Sequence, residues 1–257
     1  MSWPFDPTVY LGLALLFFAY AALARGRSDL GPRQTLYFGL GVLTVWAALE
    51  TPLDVIADHY LQGIHMLQHV LIGLVAPPLL LLGLSPSLAA AIARIPGVRL
   101  LTEPVPAQVL FGLVMGAWHL PALYDLTLHS EAVHVFEHLT FMAGGTLFWW
   151  PVISATSAQG SWRLGDAGRV LYLLIGTVPA DTVSVILMFS RAPFYPFYVS
   201  APRLVVGLDP LTDQVLAGVV LMALGKLSSL VAILEIAFRW LARARAEEVG
   251  LVPGAGR

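Results

Sequence analysis

The sequence predicts an all-α polytopic membrane bundle of seven transmembrane helices, with the N-terminus outside and the C-terminus cytoplasmic. Three observations predict it: too few charges for a water-facing surface, seven apolar runs of bilayer length, and arginines gathered on one side. Apolar residues make up 58% of the chain and charged ones 12%, the latter about half the share of a soluble domain. Mean hydropathy is +0.78, so most of the surface faces lipid. The net charge of −2 offers no basic patch for nucleic acid, and the lack of cysteine excludes disulfides and thiolate metal sites. A single domain covers 1–257, ending in a short cytoplasmic tail at about 240–257.

The first run, 8–24, follows "MSWPFDPTVYLG", which lacks the basic segment of a secretory signal, so this helix is expected to be retained. Further runs lie at 35–52, 64–83, 105–123, 133–153, 168–190 and 211–238. Each is near the roughly 20 residues that cross a bilayer. They are helices because lipid offers no partner to bare backbone. A barrel strand would alternate, and "LVAPPLLLLGL" does not. Pro77 and Pro78 interrupt the third run, which predicts a kink and freed carbonyls. The stretch "SPSLAAAIARIPGVRLL" is expected to lie along the inner surface as a short amphipathic helix. Between the sixth and seventh runs, "RAPFYPFYVSAPR" reads as an aromatic belt in the headgroup layer.

Orientation follows from the arginines. Arg25, Arg27 and Arg33 follow the first run, Arg94 and Arg99 the third, and Arg163 and Arg169 the fifth. Arg239, Arg243, Arg245 and Arg257 follow the last, while Arg191 and Arg203 fall opposite. Eleven of thirteen therefore share one face, which the positive-inside rule makes cytoplasmic. Trp149, Trp150, Trp162 and Trp240 fall near that inner interface, Trp3 and Trp118 near the outer one.

On this topology all seven histidines lie in the outer half. His65 and His69 open the third run, His119 closes the fourth, and His134 and His138 open the fifth. Each pair is spaced i,i+4 and projects from one helix face. Two such pairs, with His119 between them in sequence, are expected to converge on a metal ion, imidazole being the commonest metal-binding side chain. Ionisable groups inside spans are rare and point to function. Met115 and Met142 lie one turn deeper and offer thioethers, while Met66 points roughly 100° away from His65 on a helical wheel. Imidazole with thioether and no thiolate suits copper, Cu(I) in particular. His59 and His129 read as loop residues outside the site.

Glu137, beside His138 and three residues after His134, shares their broad face as a ligand or as the acceptor that fixes an imidazole tautomer. Glu50 lies close to hydrocarbon at the end of the second run, whereas Asp54 and Asp58 read as a solvated acidic loop. Asp181 and Lys226 are the deepest charges; opposite charges at equal depth are expected to meet as a structural ion pair.

The ordered set "HMLQHVLIGLVAPPLLLLG", "WHLPALYD", "HVFEHLTFMAGGTLFWWPV" and "LTDQVLAG" resembles the CtaG family of bacterial cytochrome c oxidase assembly factors, of the multi-span kind associated with caa-type oxidases. The resemblance runs from about Glu50 to Lys226. It implies a multi-pass protein of the bacterial inner membrane that is not an enzyme and helps build the copper-containing core of a terminal oxidase. Carried over by position, the family's histidines are His65, His69, His119, His134 and His138. The expected function is copper delivery at the periplasmic side, with oxidase subunits and a periplasmic copper chaperone as partners. A carrier of this kind needs accessible ligands.

A second class of function competes. "HVFEH", residues 134–138, matches the H-x-x-E-H of a zinc hydrolase, with Glu137 as general base and zinc in place of copper. That enzyme needs an acidic ligand downstream, for which Asp209 and Asp213 lie on the correct side and Glu235 on the wrong one. Bis-histidine haem binding requires axial ligands facing across a wide gap, which pairs one turn apart do not suit. A structural scaffold would bind no metal.

Overall fold

Proline opens eight of the helices, at Pro7, Pro32, Pro52, Pro86, Pro104, Pro121, Pro196 and Pro210. The missing N–H costs nothing at a first helical position, and the fixed φ already suits the helix. The computed structural model describes residues 3–153, 156 and 163–248; Trp162, Arg257 and the tail beyond 248 lie outside the described residues. The helices are α1 (Pro7–Ala24), α2 (Pro32–Leu49), α3 (Pro52–His59), α4 (Gln62–Leu82), α5 (Pro86–Ala93) and α6 (Val98–Leu101). They continue as α7 (Pro104–Trp118), α8 (Pro121–His129), α9 (Glu131–Trp149), α10 (Asp166–Phe189), α11 (Pro196–Ser200) and α12 (Pro210–Glu248). No strand occurs among the described residues.

Among the described residues, four helices (α1, α4, α10 and α12) are long and apolar enough to cross a membrane; there are up to six spans if the bent pairs α2–α3 and α7–α8 each count as one. Those pairs break at Pro52 and Pro121 and bend by 47° and 72°, so the runs read as 35–52 and 105–123 each continue into a second, shorter helix. Helix α9 falls outside that group because His134, Glu137 and His138 lower the hydropathy of its first half. The stretch expected along the inner surface is two short helices, α5 and α6, separated where Gly97 takes φ +83°.

Helix α4 runs through the centre, more buried than α1, α10 or α12. Pro77 and Pro78 cannot donate to the carbonyls four residues back, and the helix answers by rewinding rather than breaking. Leu71–Val75 form a π-helical turn, and the Ala76 N–H reaches back five residues to Leu71 O. Gly73, inside that turn, faces Gly145 of α9 so closely that a Cβ on Gly145 would overlap the Gly73 carbonyl. Glycine is required there because the two backbones touch. This contact sets the height of α9 against α4.

Lys226 of α12 meets Asp181 of α10 at 2.9 Å, with the lysine side chain 51% exposed, so the pair lies on an open face of the bundle. At the end rich in arginine, Tyr20 donates to Gly83 O, Arg27 to Ser87, and Arg243 pairs with Asp166.

Candidate metal centre

The start of α4 is held by the last helix. Asp213 of α12 accepts from the backbone N–H groups of Gln62 (2.8 Å) and Gly63 (3.1 Å), two of the donors that any helix N-terminus leaves unpaired. His65 and His69 follow at the next two turns, and Gly73 continues their stripe. On α9 the matching stripe is His134, His138, Phe141 and Gly145. The Gly73–Gly145 contact therefore brings the two histidine pairs level, with the Phe141 ring 4.5 Å from that of His69. His119 caps the C-terminus of α7, its Nδ1 donating to Met115 O at 2.7 Å.

All five histidines meet in one cluster. Ring centroids lie 4.3 Å apart for His65–His69, 4.1 Å for His134–His138, 5.4 Å for His65–His134, and 5.9 Å for both His69–His119 and His69–His138. His65 Nε2 is 2.8 Å from His69 Nε2. Glu137 sits between the pairs, Oε1 at 3.6 Å from His69 Nε2 and Oε2 at 4.0 Å from His134 Nε2. The Thr127 hydroxyl donates to Tyr124 O at 2.7 Å. Asp58 Oδ2 is 3.4 Å from His134 Nδ1. Three overlapping triads have their donor atoms within 4.8 Å of one another: Asp58–His65–His134, His65–His69–Glu137 and His134–Glu137–His138. Besides the Tyr124 hydroxyl, six buried polar atoms here have no hydrogen-bond partner: His69 Nδ1, His134 Nε2, His138 Nε2, Asp58 Oδ1 and both Glu137 oxygens.

Protons can be placed by elimination. Tyr198 donates to Ala57 O at 2.7 Å, so at its 2.9 Å contact with His65 Nδ1 the ring nitrogen is the donor. Burial pushes the Tyr198 phenol up, which keeps it protonated for this task. His65 therefore presents a bare Nε2, and His69 Nε2–H donates to it. Second partners that fix a ligand's tautomer in this way are typical of metal-bound histidine.

Several expectations need correction. The expected ligands are not accessible: His65, His69, His119, His134, His138 and Glu137 are each at most 9% exposed. Asp54 and Asp58 are not in a solvated loop but half-buried on α3, where Asp54 accepts from Gln68 at 2.7 Å. Within "RAPFYPFYVSAPR", Tyr195 and Tyr198 turn inward, Tyr195 donating to His119 O at 3.0 Å. Gln214 holds that segment by accepting from Phe194 N, and Asp125 by accepting from Phe197 N. Trp118, Trp149 and Trp150 are buried within the bundle, whereas Trp3 and Trp240 are exposed. The thioether set against an imidazole is that of Met66, whose Sδ is 3.4 Å from His119 Nε2. Met115 contributes its carbonyl, and Met142 packs against the core. Glu50 is tied to Asp6 N, outside the three triads. Asp209 and Asp213, the acids the zinc-hydrolase reading needs, cap the starts of α12 and α4 instead. His59 and His129 stay outside the cluster.

Tyr198, Tyr124 and Asp58 are the site residues that the sequence reading missed. Tyr124 lies within "WHLPALYD", and its ring is 5.2 Å from that of His65. Asp58 follows Asp54 at i,i+4, the same spacing as the histidine pairs.

The family model described as cytochrome c oxidase caa3 assembly factor matches residues 14–243. No curated protein and no solved structure matches the chain significantly. The chain belongs to the caa3-type cytochrome c oxidase assembly factors.

Proposed function

We propose that this assembly factor binds copper and delivers it to cytochrome c oxidase at the periplasmic side, as a metallochaperone rather than an enzyme. In this reading the chain is a multi-pass protein of the bacterial inner membrane. Its seven spans are α1, α2–α3, α4, α7–α8, α9, α10 and α12, the N-terminus is outside, and the arginine end is cytoplasmic. Its partners are oxidase subunits and a periplasmic copper chaperone.

One observation carries the reading: six buried polar atoms without partners gather among five imidazoles. Each such atom costs about 1–3 kcal/mol while it stays unsatisfied, and a cation would turn most of them into ligands. Imidazoles, a thioether and no cysteine favour copper over magnesium or calcium. Because the ligands are buried, release requires the rim to open, and Asp58 and His134, with side chains 22% and 11% exposed, form its most open part.

The test is metal analysis of the purified protein after copper loading. The wild type should retain copper, and a variant with His65, His69, His119, His134 and His138 changed to Ala should lose it while remaining in the membrane. A wild type that holds no copper ends the proposal. Stoichiometric zinc instead would favour the second reading, a hydrolase built on the His134–Glu137–His138 triad.

A further inference from the structure

We infer that Met66 is a metal ligand: its thioether and His119 Nε2 together hold a cuprous ion, with His69 Nδ1 as the third donor. The inference rests on the copper reading and names the residue that makes the site selective for Cu(I).

Met66 is fully buried and leaves α4 on the flank away from His65, towards the end of α7. Its Sδ stops 3.4 Å from His119 Nε2. No proton lies between them. The Met115 carbonyl only accepts, so the hydrogen of neutral His119 is on Nδ1 and Nε2 is bare. A thioether sulfur has no hydrogen to give.

Spacing agrees with coordination. An ion about 2.0–2.1 Å from an imidazole nitrogen and about 2.3 Å from sulfur would see these two atoms at an angle of roughly 100°, close to tetrahedral. The third donor comes from the proton placement already derived. His69 gives its Nε2–H to His65, so its Nδ1 is a bare lone pair, buried and without a partner, on a ring centred 5.9 Å from that of His119. Two imidazoles and a thioether form a soft set that suits Cu(I) better than a hard divalent ion. The bland alternative is a methionine that fills space, and the two part company on substitution.

The experiment compares wild type and Met66→Leu, a swap that conserves volume and is usually tolerated in cores. Anaerobic Cu(I) competition against a chromophoric chelator reads affinity, and copper-edge X-ray absorption reads the ligands. Wild type should show one sulfur scatterer at about 2.3 Å. Met66→Leu should lose it and bind Cu(I) at least about tenfold more weakly, with Zn(II) binding little changed. Selenomethionine-labelled wild type supplies a second measurement without mutation, since sulfur scattering should become selenium scattering. Copper bound with nitrogen and oxygen scatterers alone, or unchanged Cu(I) affinity in Met66→Leu, overturns the inference and leaves the copper reading standing. A wild type that takes up no Cu(I) overturns both.

Discussion

At the arginine end of the bundle, Arg243 meets Asp166 and Arg239 meets Glu235, each arginine side chain more than half exposed. At the histidine end, His65, His69, His138 and Glu137 are almost wholly buried, and the carboxylate oxygens form no hydrogen bond. Both ends are built from ionisable side chains, but they follow different physics. Exposed pairs are solvated with or without each other and contribute about 0–1 kcal/mol. Buried donors and acceptors left unmatched are a standing cost, about 1–3 kcal/mol each, so a fold keeps such a cluster only where something else compensates for it. This contrast is why the proposed site is placed at the histidine end.

The largest expected effect comes from the contact that aligns the two histidine pairs. Gly145→Val puts a branched side chain where the Gly73 carbonyl already lies, so one of the two backbones must shift. Overpacking of this kind costs about 1–3 kcal/mol and occasionally more; here it also forces α4 from α9, so metal retention should fail together with thermal stability in detergent. The matched control is Gly168→Ala in α10 near the arginine end, where a new Cβ would sit 3.5 Å from Leu164, an ordinary contact. That control should be neutral or slightly stabilising, since glycine inside a helix costs about 0.5–1 kcal/mol relative to alanine. Equal unfolding temperatures for the two variants would remove the special status given to the histidine end.

Tyr198→Phe is expected to act less on the fold and more on the metal. It removes the acceptor of His65 Nδ1–H and the donor to Ala57 O. Changing such outer partners typically lowers metal affinity by about 10–100-fold. A Cu(I) competition titration would check it, with Tyr195→Phe beside it, because Tyr195 contacts the His119 backbone rather than a ring nitrogen. Should both phenylalanine variants weaken copper equally, the loss reflects loosened packing and not tautomer control.

Much of the histidine end was legible in the sequence, for a local reason. Spacing of i,i+4 fixes a shared helix face before any tertiary contact exists, so His65 with His69 and His134 with His138 could be paired on sight. Opposite charges at one depth likewise pointed to Asp181 and Lys226, which lie 2.9 Å apart. Tyr198 was not legible, because it reaches His65 from 133 residues away on a segment whose aromatic composition also describes a headgroup belt. Asp58 was hidden by a plain error of environment: acids after a span look like a loop until α3 folds back onto α4. The polar groups on α9 keep it below the hydropathy of the four long apolar helices, although its run at 133–153 was counted as a span from the sequence.

The smallest effect belongs to the arginine end, where Asp29 accepts from Ser87 N at 2.8 Å and from the Ser87 hydroxyl at 2.7 Å. These bonds favour the ionised form and hold the Asp29 carboxyl below the usual carboxylate range. A folded-state value depressed below the unfolded one, about 3.9 for aspartate, adds stability that is fully present above the unfolded value. That stability disappears as pH falls through the folded value. Asp29→Asn should therefore lower the unfolding temperature slightly at pH 7, and the gap from wild type should close as the pH is taken below about 4. Asp29 is exposed, so the gap should also shrink with added salt. A difference that stays constant from neutral to acidic pH would mean that the carboxylate holds Ser87 by shape alone. The arginine end would then lack even the modest electrostatic contribution assigned to it, and the contrast with the histidine end would widen.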